Sequence, residues 1–140
     1  MKLFVLASMM LVAPIDQAPV AAQDAEIVVR GDSIQMEIER ILEADNVDTS
    51  RLDSREVANA IAGIARGRAP EDFWVAYRAH VEAWQRLAEV ERVEREKPFP
   101  TREGAEALSM AEQAIERSFD EVERIARRHG ARLPVPRWRM

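Results

Sequence analysis

The 140-residue chain has no cysteine, two histidines, one tyrosine and five glycines. Without cysteine there is no disulfide, thiolate metal ligand, covalently attached haem, lipoprotein anchor or cysteine nucleophile. Two histidines leave no room for a multi-histidine metal centre. Neither is preceded by the Glu-x-x-His spacing of di-iron bundles, because the residues three before His80 and His129 are Tyr77 and Ala126. No His-Glu-x-x-His pattern, phosphate-cradling glycine loop or nucleotide fingerprint occurs. No metal site is therefore expected. A net charge of −5 gives no overall drive toward nucleic acid. No period-two run marks a strand.

Long apolar runs are also scarce. The longest, Leu3 to Ala13, spans roughly 16 Å as a helix, about half a bilayer core, so no transmembrane anchor is expected. Lys2 precedes this run, Pro14 and Asp16 end it, and Val20-Ala21-Ala22 is a small-residue cleavage pattern. Residues 1–22 therefore read as a cleavable secretory signal peptide. The expected location is exported and periplasmic, in a bacterial envelope. A cysteine-free exported chain fits there, because a domain of this size needs no staple.

What remains, residues 23–132, reads as one all-α domain, and 133–140 as a basic tail carrying proline and tryptophan. A first helix is expected over Ser33 to Ala44, with Asp32 as N-cap, Gln35 three residues on, and a stripe of Ile34, Ile38, Ile41 and Leu42. Asp45-Asn46-Val47-Asp48 is a turn-rich break. A second helix is expected over Ser54 to Gly67, opened by an Asp53/Glu56 capping box. Val57, Ile61 and Ile64 form its stripe, and its alanines offer a surface for a close neighbour or a homodimer. Pro70, Glu71 and Asp72 start a third helix that runs to Glu96. Lys97-Pro98-Phe99-Pro100 ends it, Thr101 caps a fourth helix that runs to His129, and Gly130 stops that one. Two long helices around a short Pro-Phe-Pro break make an antiparallel hairpin. The two short helices lie along it, giving a small four-helix bundle.

The apolar weight is uneven. Phe73, Trp74, Tyr77, Val81, Trp84 and Leu87 load the first half of the third helix. Ile115, Phe119, Val122, Ile125 and Ala126 load the second half of the fourth. The core therefore lies at the hairpin end far from Phe99. Two readings fit Phe99: a plug folded over Val93 and Leu108, or a partner-docking knob.

Folding the hairpin about Phe99 sets position 80 opposite position 118. His80 and Ser118 are thus expected to meet, with Tyr77 and Trp84 on the same face. The pair reads as mutually satisfied core groups or as part of a ligand site. A nucleophilic Ser–His pair would need an orienting acid and an oxyanion loop, and neither is visible. Met36 and His129, on separate helices, resemble the one-Met, one-His ligand set of b-type bundle cytochromes, which would imply haem. Two residues are all that carry it, and no cofactor is expected.

Acidic and basic residues are segregated. Residues 23–65 hold ten acids and four bases, whereas only arginines follow Glu123: Arg124, Arg127, Arg128, Arg132, Arg137 and Arg139. Arg137-Trp138-Arg139 suits an anionic surface or an acidic envelope partner, unless the tail docks on the protein's own acidic helices. Elsewhere Arg and Glu interleave at i, i+4, as in Arg78–Glu82 and Glu91–Arg95, an ordinary solvated face. The expectation is an exported, non-catalytic interaction module. The alternative is a bundle that holds an apolar small molecule or haem around His80 and the Phe73–Trp84 aromatics.

Overall fold

In the computed structural model, residues 21–136 are described, with side chains from Gly31 onward. They form four helices: α1 Ala21–Asp45, α2 Ser54–Ala62, α3 Glu71–Glu96 and α4 Arg102–Arg128. No strand occurs among the described residues. The protein is an all-α four-helix bundle in which the α3–α4 hairpin is the most extensive contact. The signal-peptide reading concerns residues that lie outside this description, apart from Ala21 and Ala22.

Three helix starts follow local rules. Asp53 accepts from the Glu56 amide at 2.8 Å and the Glu56 carboxylate accepts from the Asp53 amide at 2.9 Å, a complete capping box. Thr101 Oγ1 accepts from the Gly104 amide at 3.0 Å. Pro70 precedes α3 in extended geometry, with Glu71 and Asp72 at the positive helix end.

Two boundaries differ from expectation. α1 starts at Ala21 rather than Ser33, so Asp32 sits inside the helix and caps nothing, and Gln35 instead donates to Glu39 at 2.9 Å. A single interior glycine, Gly31, costs only about 1 kcal/mol. That is too little to stop a helix already running through Ala21 and Ala22. α2 stops at Ala62, not Gly67. There the chain tightens into an Ile64-to-Ile61 turn, and Gly67 turns it with φ +56, a conformation open to glycine. Glu37 and Arg40 of α1 press on Gly67, and Arg40 donates to the Ala65 carbonyl at 2.7 Å.

The core lies at the end of the hairpin far from Phe99. Ile38, Ile41 and Leu42 of α1, Phe73, Ala76 and Tyr77 of α3, and Val122, Ile125 and Ala126 of α4 are buried together. Each large side chain there contributes about 1.5–3 kcal/mol of burial. Phe73 stacks on Tyr77 at 6.2 Å, and Trp74 on Tyr77 at 5.5 Å.

The other end is thin. Phe99 is 76% exposed, so the plug over Val93 and Leu108 does not form. Prolines on both sides hold its backbone at the apex, and Val93 is itself exposed. Instead Glu94 closes the tip, lying against Gly104 in the first turn of α4 and pairing with Lys97 at 2.5 Å.

The chain folds back after α4. Ala131 is buried, Leu133 packs on the core, the Arg132 amide donates to Glu39 at 2.9 Å, and Asn46 donates to the Val135 carbonyl at 2.8 Å. Residues 131–136 are therefore a strap over α1 and the loop that follows it. Arg137, Trp138 and Arg139 lie outside the described residues.

Candidate functional site

The middle of the hairpin carries the polar interior of the protein. His80 is 4% exposed. Its Nδ1 lies 3.0 Å from Ser118 Oγ, and its Nε2 lies 3.2 Å from Trp84 Nε1. The directions of these bonds follow from what each atom can do. An indole N–H only donates, so Nε2 accepts. The Ser118 hydroxyl donates to the Ile115 carbonyl at 2.9 Å, so Oγ accepts from Nδ1–H. His80 is therefore the neutral Nδ1–H tautomer, with both nitrogens used.

A second group joins from α1. Asp45 ends that helix with its side chain only 10% exposed. Tyr77 donates its hydroxyl to Asp45 Oδ1 at 3.0 Å and lies 3.3 Å from the Ile61 carbonyl. Asp45 Oδ2 stands 4.0 Å from His80 Nε2. The sequence shows no acid placed to orient His80, and in the fold Asp45 comes near it. The gap is too long for a hydrogen bond, and Nε2 presents a lone pair already given to Trp84. Asp45 therefore does not orient the imidazole as a triad acid would.

Burial sets the protonation of both groups. It pushes the Asp45 carboxyl up to about 6, partly offset by the Tyr77 hydrogen bond. It pushes His80 down to about 4, partly offset by the Ile115 backbone contact. Protonation at Nε2 would also set an N–H against the Trp84 N–H. The Tyr77 hydroxyl is raised, first by burial and then by the Asp45 charge.

Beside this network is a half-open cavity of about 300 Å³. Leu42, Val57, Ile61, Ile115, Phe119 and Leu133 supply its apolar wall, and Trp84 and His80 one side. The His80 ring lies 5.1 Å from that of Phe119. The strap residues Pro134 and Pro136 form part of the rim, as do Glu116 and Glu123. The volume is at the lower limit for small-molecule sites.

The aromatic face of α3 thus divides. Phe73 and Tyr77 are closed core, and Trp84 borders the cavity. His80 and Ser118 come together as the hairpin geometry requires. Asp45, the group sequence reasoning missed, looked like the first residue of a polar turn. Met36 and His129 do not come together as haem ligands: Met36 is 68% exposed, and His129 Nε2 is 3.0 Å from Asp72 Oδ2. Arg128 shares the same carboxylate at 2.8 Å, closing the base of the hairpin. Arg78 and Glu82 stand 4.0 Å apart, whereas Arg95 donates to the Glu91 carbonyl and Glu91 accepts from Ser54 at 2.8 Å. Ala60, Ala62 and Ala65 are exposed on and after α2.

No family model, curated protein or solved structure matches this chain. No helix among the described residues is long and apolar enough to cross a membrane. No cluster of metal-ligating side chains occurs among them either.

Proposed function

We propose that this chain is an exported, non-catalytic helical module of the bacterial envelope that acts by binding, and that its binding element is the cavity beside Trp84 and His80. The observation that carries the reading is the cavity itself: about 300 Å³ of mostly apolar space between α2, α3, α4 and the strap. It lies beside the His80–Ser118–Trp84 hydrogen bonds, which use both imidazole nitrogens. Interior space of this kind leaves its lining short of contacts, and an apolar ligand restores them. The network supports binding over catalysis, because His80 is neutral, both its nitrogens are engaged and the Ser118 proton is committed to a carbonyl. Export rests on the pattern of residues 1–22.

Bromobenzene is a suitable neutral probe, because its heavy atom quenches a nearby indole. The expected result is saturable quenching of tryptophan emission that disappears in Trp84→Phe. Quenching that rises linearly with probe and is equal in both proteins would refute the pocket. N-terminal sequencing of exported protein tests the rest: a chain beginning at Gln23 supports export, and an intact Met1 retained inside the cell contradicts it.

The exposure of Phe99 favours one further element, a partner-docking knob at the hairpin tip. Phe99→Ala should keep the melting temperature and lose an envelope partner on co-purification. An unchanged partner set removes the knob.

A further inference from the structure

We propose that the cavity takes a small organic amine, its apolar body against the aromatic wall and its ammonium group on Asp45. The inference rests on the binding reading above and names the ligand class. Four ionisable side chains among the described residues line the cavity: Asp45, His80, Glu116 and Glu123. Three are acids, His80 is held neutral by its two hydrogen bonds, and among the described residues no lysine or arginine lines the space. Arg127 reaches Glu123 from outside at 3.0 Å, leaving Asp45 and Glu116 as the charges that face a ligand.

Asp45 is the distinctive one. Its side chain is nine-tenths buried, yet only Oδ1 has a donor, from Tyr77. Among the described residues no donor meets Oδ2, which faces the lone-pair side of His80 at 4.0 Å. A buried carboxylate with one hydrogen bond and no counter-ion is costly. An ammonium group supplies both missing elements through a charge-assisted hydrogen bond. The rings of Trp84 and Phe119 give a cation a favourable face. Leu42, Val57, Ile61, Ile115 and Leu133 cover the remaining carbon. The same acids repel an anionic ligand, so a fatty acid or a phosphate ester does not fit.

Three probes of one shape separate these terms: 2-phenylethylamine, 2-phenylethanol and 3-phenylpropionate. Each is titrated into the full chain at pH 7.5 while the Trp84 indole N–H is followed by NMR, assigned with Trp84→Phe. The amine is expected to bind about tenfold or more tightly than the alcohol, the scale of one charge-assisted hydrogen bond, and the carboxylate weakest of all. Asp45→Asn should bring the amine to the affinity of the alcohol without changing the alcohol. Glu116→Gln, an exposed change that leaves the interior intact, should weaken the amine slightly and the alcohol not at all. It keeps the test open should Asp45→Asn fail to fold. Equal binding of alcohol and amine would overturn the amine inference and leave the pocket standing. Binding of none of the three would overturn both.

Discussion

The two ends of the hairpin are built from the same helices and behave oppositely. At the base, Phe73, Tyr77, Val122 and Ile125 are sealed against Ile38, Ile41 and Leu42, and Asp72 ties Arg128 and His129 across the seam. At the tip, Phe99 stands in solvent and Glu94, Lys97 and Gly104 close the turn. The base has α1 to cover it. The tip has only its own two helices, whose outward positions are charged. Between them lies the section where coverage is incomplete, and there the cavity sits. Helix formation is uniform along the hairpin, and the number of packed neighbours decides what each section can do.

The contrast breaks most sharply under truncation at the base. Phe73→Ala should cost about 3–5 kcal/mol in urea denaturation, the range for a large aromatic lost from a closed core. Phe99→Ala is expected to stay within about 0.5 kcal/mol of the parent, as surface changes do. Comparable losses at both sites would mean the tip packs after all.

The middle section is sharpened by pH. Asp45 shifts from 3.8 to about 6 on folding and His80 from 6.5 to about 4. Between these values folding moves one proton from His80 to Asp45 and changes the total little, so the pair together adds almost no pH dependence. Removing one member exposes the other. A carboxyl with a raised folded pKa gains stability as pH falls through 6. Relative to the parent, Asp45→Asn should therefore lose stability as pH falls from 6 to 3.8. A histidine with a lowered folded pKa loses stability as pH falls from 6.5 to 4, so His80→Leu should gain relative to the parent over that window. Each divergence should reach up to about 3 kcal/mol. Parallel pH–stability curves for parent and both variants would contradict the assignment.

Tyr77→Phe is a smaller change. It removes the only donor to the Asp45 carboxylate among the described residues and should cost about 1–3 kcal/mol at pH 7.5, less at pH 5 where the carboxyl is protonated. Asp53→Ala should cost about 1 kcal/mol through loss of the α2 cap and leave the cavity unchanged in ligand titrations.

Much of this was legible from residues alone where local rules or a simple reflection apply. The breaks at Asp45–Asp48 and Lys97–Pro100, the start of α3 after Pro70, the caps at Asp53 and Thr101, and the meeting of His80 with Ser118 all follow from spacing. Asp45 was not legible as an interior group. Its place against Tyr77 depends on how α1 lies across the hairpin, a contact 32 residues apart in sequence. The α1 start was missed because Gly31-Asp32 has the local chemistry of a helix beginning, although the helix passes through it. The exposure of Phe99 depends on whether Val93 and Leu108 leave a socket, which composition does not encode.

The most direct test is a crystal of the full chain soaked with bromobenzene, with the bromine located by its anomalous signal. The expected result is a single strong peak between Trp84, Phe119 and Leu133, with the strap at Pro134–Pro136 still in place. A structure in which those side chains meet and leave no room, with no bromine between them, would contradict the presence of a binding cavity.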